Sequence, residues 1–333
     1  MSTRRRTLVV GVGSIGERHV RCFGATNRTT LAICEPNADL RTAVAERYGI
    51  GETYASLDDA LANDFTAAVV ATPAHLHVEQ ATTLAKRGIN VLVEKPLSTV
   101  VDGVAELKSS LAERSLLGAV AYSYRANPVM TAMRDAWREI DFGRPLQATV
   151  SAGQSFPTYR PAYASTYYRS RATGGGAIQD ALTHLINAVE WLLGPATRVA
   201  ADADRLALTG VDVEDTAHVL ARHGDAMALY HLNQHQPANE AAITLVGEKG
   251  QLRAEFHRRR VAWLTDVDGA WQETIVDAYN QDDVFRRQAD AFLDAIEQGV
   301  APLCSLAEGE ATLRTVTAIL QSLESQRWEE CGN

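Results

Sequence analysis

Asp180 and His184 stand four residues apart, and Asn187 follows three further on. On a helix that spacing puts all three on one face. A carboxylate beside an imidazole suits proton transfer near neutrality, because an imidazole ordinarily titrates near ~6.5 and the carboxylate can orient it or raise that value. Ile178, Leu182, Leu185, Val189 and Leu192 fall on the opposite side, an apolar stripe able to pack on a sheet. The competing reading is a solvated helix face on which Asp and His give ordinary i,i+4 support.

A second constellation is Gly11-Val12-Gly13-Ser14-Ile15-Gly16, directly after an apolar run and directly before a helical one. In such a GxGxxG segment the first glycine permits a tight turn. The second admits a pyrophosphate to the backbone, and the third lets helix and strand pack closely. The helix start, from Ser14 and Ile15 onward, then offers N–H groups and partial positive charge to the phosphates. Glu35 ends the next apolar run, 19 residues after Gly16, where a carboxylate accepts from the adenosine ribose hydroxyls and repels a 2′-phosphate. NAD is therefore expected in preference to NADP, with Arg41 further into the following helix. The alternative is a glycine turn that serves packing alone.

Lys95 follows the Val91–Val93 run, at the carboxyl edge of a parallel sheet, where open α/β folds bind their ligands. A lysine there can donate a hydrogen bond to a reacting oxygen or, with a lowered pKa, exchange its proton. The chain carries four lysines against 28 arginines, a small hint that Lys95 serves a property Arg lacks. An exposed strand-end lysine is the other reading.

Apolar runs at Leu8–Val12, Leu31–Cys34, Ala67–Ala71, Val91–Val93 and Leu117–Ala121 read as strands. Helical patterns at about 15–23, 38–48, 57–62, 75–87 and 101–113 lie between them. Unalternated Val and Ala predict a parallel sheet covered on both faces, a doubly wound α/β Rossmann domain over residues 1–122. Beyond Tyr122 a helix at Pro128–Glu139 leads to longer alternating runs joined by turns such as His223-Gly224-Asp225. They predict an α+β domain over 123–333 with a large, mainly antiparallel open sheet, one helix at 176–193, and two closing helices at 283–298 and 306–326. An open sheet has one face to cover, so a homodimer or homotetramer is expected.

The whole chain has 333 residues, 46% hydrophobic and 22% charged, which suits two ordinary globular domains. Its net charge of −9 argues against nucleic acid as a partner. Four cysteines with no CxxC pair point to a reducing compartment. Arg4-Arg5-Arg6 is followed by too short an apolar run for a secretory signal, and no segment approaches the ~18 apolar residues of a membrane span. A cytoplasmic protein is expected. His218, His223, His231 and His235 are not expected to bind a metal, because strand residues four apart lie ~13 Å from one another.

The segments Ala71-Thr72-Pro73-Ala74-His75-Leu76-His77, Gly88-Ile89-Asn90-Val91-Leu92-Val93-Glu94-Lys95-Pro96, Gly174-Gly175-Gly176-Ala177-Ile178-Gln179-Asp180-Ala181-Leu182-Thr183-His184 and Trp191-Leu192-Leu193-Gly194 resemble the Gfo/Idh/MocA family of sugar and inositol dehydrogenases. Ala74 stands where many members carry Asn, and Asn187 where many carry a second Asp. The resemblance implies NAD(P)-dependent interconversion of a secondary hydroxyl and a ketone on a sugar, inositol or related polyol. It implies His184 as general base, Asp180 orienting the alcohol or the histidine, and Lys95 polarising the oxygen, the base role being exchangeable between Lys95 and His184. It also implies a cofactor wall of Thr72, Pro73, Glu94 and Lys95, which His77 either joins or supports through a structural hydrogen bond.

Tyr159, Arg160, Tyr163, Tyr167, Tyr168, Arg169 and Arg171 form an aromatic and basic loop before the glycine run. Tyr159, Tyr168 and Arg169 are its substrate candidates, able to cap a sugar ring or bind a carboxylate or phosphate; a subunit contact is the alternative. Asn127 is a candidate for a cofactor or substrate hydroxyl, or a helix cap before Pro128. Two other functions fit the same scaffold: a non-catalytic NAD-sensing regulator, and a trans-dihydrodiol or biliverdin-type reductase of the same superfamily.

Overall fold

The computed structural model describes residues 5–332; Arg4 of the basic run and Asn333 lie outside the described residues. The first strand, β1 (Arg5–Val10), runs into the glycine segment and α1 (Ser14–Ala25). There follow β2 (Thr29–Cys34), α2 (Ala38–Tyr48), β3 (Glu52–Tyr54), α3 (Leu57–Ala60), β4 (Ala67–Val70), α4 (His77–Lys86), β5 (Asn90–Val93), α5 (Val104–Ala112) and β6 (Gly118–Val120). All six strands are parallel, in the order β3-β2-β1-β4-β5-β6. The order reverses between β1 and β4, which places the carboxyl ends of β1, β4 and β5 at the topological switch point. Helix bounds follow local chemistry: Asn37 Oδ1 accepts from Leu40 N at 3.0 Å to start α2, and Gly49, at φ +65°, ends it. The four residues of β4 are all buried, as a strand covered on both faces requires.

From Asn127 a second body begins. Pro128 opens α6 (Pro128–Glu139), and β7 (Pro145–Gly153) and α7 (Phe156–Tyr159) follow. A loop of short turns leads to a single π-helical stretch, Ala177–Leu182, continuous with α8 (Thr183–Leu193). Seven strands come next: β8 (Arg198–Asp204), β9 (Thr216–His223), β10 (Ala226–Asn233), β11 (Glu240–Gly247), β12 (Gly250–Glu255), β13 (Arg260–Leu264) and β14 (Gln272–Ile275). Then come α9 (Gln281–Gln298), α10 (Leu306–Ser325) and β15 (Glu329–Glu330). The nine-stranded sheet runs β14-β13-β12-β11-β7-β10-β9-β8-β15 and is antiparallel except where β7 lies parallel to β10.

The two compact units are Met1–Ala126 with Tyr279–Gly309, and Asn127–Ala278 with Glu310–Asn333. A single division at 122/123 therefore needs correcting, since α9 packs on α1 in the first unit rather than closing the second. Arg21 holds Asp282 through two hydrogen bonds, and Arg28 spans Asp290, Asp294 and Glu297 along one face of α9. Phe23 meets Phe292 edge-on at 6.3 Å and His19 meets Phe285 at 5.4 Å. Phe23, Phe285 and Phe292 are buried, each adding about 1.5–3 kcal/mol of apolar burial. Among the described residues no helix is long and apolar enough to cross a membrane.

Candidate active site

The glycine loop has the geometry a dinucleotide needs. Gly11 sits at φ +82°, and a Cβ on Gly16 would lie 1.9 Å from the Gly11 carbonyl oxygen, so those two glycines are required by the fold itself. Gly13 differs. A Cβ there would meet nothing within 4 Å, so the space before the first turn of α1 is open and fits a ligand group approaching the backbone. Ser14 and Ile15 follow at that helix start. Glu35, just beyond β2, has one carboxylate oxygen 3.1 Å from Val12 N and the other 3.0 Å from Asn37 N. The two amides aim it beside the glycine loop. Arg41 is not remote from that place: its guanidinium turns back to donate to the Glu35 carbonyl.

At the same sheet edge, Thr72 and Pro73 follow β4, and Glu94 and Lys95 follow β5. His77 links the two turns: Nε2 lies 2.7 Å from the Thr72 carbonyl oxygen and Nδ1 2.9 Å from that of Pro96. This is the structural hydrogen bonding open to it in the sequence. Burial holds the His77 pKa below its ordinary value, against the opposing pull of the two carbonyls and Glu94. Glu94 is itself buried, with Oε1 2.6 Å from His19 Nε2 and Oε2 accepting from Lys95 N at 3.0 Å. His19 was missed as a site residue; its signal was its place three residues after Gly16.

In the second unit Asp180 lies in the π-helical stretch and His184 in the first turn of α8. Asp180 is only 4% exposed, and Tyr167 donates its hydroxyl proton to Asp180 Oδ1 at 2.7 Å. At Asn187 the solvated-face reading is overturned: the side chain is fully buried and donates to Thr312 Oγ1 at 2.9 Å, while Glu190 accepts from Thr312 and Thr315. Asn187 and Glu190 thus lie in the seam between α8 and α10, where buried polar groups satisfy one another.

The triple glycine is packed against protein. It admits protein atoms rather than leaving its backbone clear for a ligand: a Cβ on Gly175 would lie 2.1 Å from the Tyr168 carbonyl oxygen, and one on Gly176 2.5 Å from Glu214 Oε1. Glu214, buried just before β9, accepts from Ile178 N at 3.0 Å and pairs with Arg171 Nη2 at 2.9 Å; its carbonyl accepts from Ala177 N. It bolts down the start of the helix that carries Asp180 and His184. No spacing rule reaches from Glu214 to Ile178, so nothing local in the chain marks it.

The loop candidates separate. Tyr168 is a core residue, 2% exposed, packed with Phe156, Leu208, Val211 and Val213, and its hydroxyl donates to Gln234. Tyr159 and Arg169 are exposed. Asn127 caps α6, with Oδ1 accepting from Val129 N at 2.9 Å. His218 and His231 are cross-strand partners with stacked rings 6.0 Å apart, a proximity that spacing along one strand does not register.

Residues 5–122 match the oxidoreductase family with an NAD-binding Rossmann fold, and residues 130–253 match the GFO/IDH/MocA C-terminal domain. The chain belongs to the Gfo/Idh/MocA family. Gfo/Idh/MocA relatives include D-xylose 1-dehydrogenase (NADP(+)) 2 of Haloferax volcanii, 26% identical over 95% of this chain and 97% of that one. The rhizopine catabolism protein MocA of Rhizobium meliloti is 29% identical over 99% of both chains. Levoglucosan dehydrogenase in complex with NADH shares the fold at a TM-score of 0.90 and 20% identity, covering 99% of this chain and 100% of that one. This Gfo/Idh/MocA member is an NAD-binding oxidoreductase.

Proposed function

We propose that this oxidoreductase interconverts a secondary hydroxyl and a ketone on a sugar, inositol or related polyol, with NAD as its cofactor. The observation that carries the reading is Asp180, a buried carboxylate held by a tyrosine hydroxyl and placed four residues before His184. When bound, NAD supplies the two-electron exchange. The protein supplies binding and proton handling. The open space before Gly13 and the Glu35 carboxylate hold the dinucleotide. His184 takes the hydroxyl proton as general base, Asp180 orients the alcohol or the imidazole, and Lys95 donates a hydrogen bond to the reacting oxygen. The base role passes to Lys95 if its proton is the one exchanged. The D-xylose dehydrogenase relative supports a sugar as substrate.

The test is a turnover assay with NAD across sugars, inositols and sugar nucleotides, followed by Lys95→Ala and His184→Ala. Each substitution should cut kcat by about 10²-fold or more while NADH still binds. Full turnover in both variants overturns the assignment, and NADH binding with no turnover on any substrate favours the regulator. Leu220 and Met227, about half exposed on the outward face of β9 and β10, support a homodimer or homotetramer, which sedimentation would read.

A further inference from the structure

We infer that Tyr167 is a positioning residue for Asp180: its donated hydroxyl fixes the carboxylate in the orientation that proton transfer uses. The inference rests on the functional reading above. A carboxylate withdrawn from water needs hydrogen-bond donors, and Tyr167 places one 2.7 Å from Oδ1. The phenol comes from a loop, yet that loop pins it. Thr173, the residue before the glycine run, donates its hydroxyl proton to the Tyr167 carbonyl at 2.6 Å. Thr166, the residue before it, is tied through its own hydroxyl to the Tyr163 carbonyl at 3.1 Å.

Two further observations set Tyr167 apart from its neighbours. Tyr168 spends its ring on the apolar cluster around Phe156 and its hydroxyl on Gln234, so adjacent tyrosines have separate tasks. Arg160 lies against the same pair: although burial opposes its charge, Asp180 and Tyr167 hold its pKa above the ordinary value. Titratable neighbours of Asp180 include Arg160, Tyr167 and Tyr168 from the loop, with His184 on its own helix.

The variant to measure is Tyr167→Phe, which keeps the ring and removes only the hydroxyl. Removing a donor from a carboxylate favours its protonated form. The expected result is a kcat lowered about tenfold, a KM within about threefold of the wild type, and an acid limb of the kcat profile moved to higher pH. Thermal midpoint and NADH affinity, unchanged, would show that the fold is intact. A wild-type kcat with a wild-type pH profile overturns the inference, as does a KM effect alone, which would make Tyr167 a substrate contact. Asp180→Asn separates the two levels. Full turnover in Asp180→Asn defeats the functional reading itself, whereas a crippled Asp180→Asn beside an unaffected Tyr167→Phe defeats the positioning role only. In the double variant, the loss should equal that of Asp180→Asn alone.

Discussion

Glu94 Oε1 lies 2.6 Å from His19 Nε2, both side chains buried, so the turn that carries Lys95 is tied directly to the helix that follows the glycine loop. The other Glu94 oxygen accepts from the backbone N–H of Lys95. One carboxylate thereby joins the nucleotide-binding helix to the candidate catalytic lysine.

If that tie holds the sheet edge together, His19→Leu should lower the unfolding free energy by about 1.5–3 kcal/mol, the range for a hydrogen bond to a charged group. Urea denaturation would read it. A loss below about 0.5 kcal/mol, the scale of a neutral surface change, would show that the contact does not hold the sheet edge.

Cofactor preference should reside in Glu35. Replacing it with Ser removes the charge facing a 2′-phosphate, while Arg41 stays attached at the neighbouring carbonyl. The ratio of kcat/KM for NAD over NADP should fall at least about tenfold in Glu35→Ser. A ratio that does not move would place discrimination elsewhere.

Glu214 and Gly176 should behave as one unit. Gly176→Ala forces a Cβ onto the Glu214 carboxylate at a φ of +93° and should cost about 1–3 kcal/mol. Glu214→Ala leaves the buried Ile178 N–H without its acceptor and should cost about 1–3 kcal/mol. In the double variant the clash is gone, so the summed losses should exceed the measured one by about 0.5 kcal/mol or more. Simple additivity in chemical denaturation would refute the coupling.

Stability should fall on mild acidification through His223. Its Nδ1 lies 2.8 Å from the Gly194 carbonyl oxygen and its Nε2 2.8 Å from the Tyr230 hydroxyl, which suits a neutral ring. Burial holds its pKa below the ordinary 6.5. Below that pH the unfolded chain takes up a proton that the folded protein refuses, so stability is fullest above 6.5 and declines as pH drops towards the folded value. His77, shifted in the same direction by burial, adds to the slope. His223→Gln should flatten the urea-midpoint curve between about pH 7 and 5 relative to wild type; identical slopes would exclude the histidine.

Much of the scaffold was legible because its signals are local. Asn37 and Asn127 cap helices whose bounds, Ala38–Tyr48 and Pro128–Glu139, coincide with the sequence pattern, and alternation marks Ala226–Asn233. The glycine loop and Glu35 were equally visible. What escaped depends on distance along the chain. The short β3 and β14 carry too few residues to show a period, and the parallel pairing of β7 with β10 is set by tertiary packing. Spacing of four residues does not separate α from π geometry over the six residues from Ala177 to Leu182. Glu214 reaches Ile178 across 36 residues, and Tyr167 reaches Asp180 through a loop without periodicity.

The capture of α9 by α1 bears on how the protein is made. Residues up to Ala126 leave the ribosome roughly 150 residues before α9 does, so the nascent nucleotide-binding half waits with Phe23, Arg21 and Arg28 uncovered. Its completion comes only after the whole nine-stranded body except its final segment has been translated. A polypeptide cut after Ala126 should therefore be prone to aggregate, and recovering it would require supplying the missing helix as a separate peptide or splicing it on through a linker.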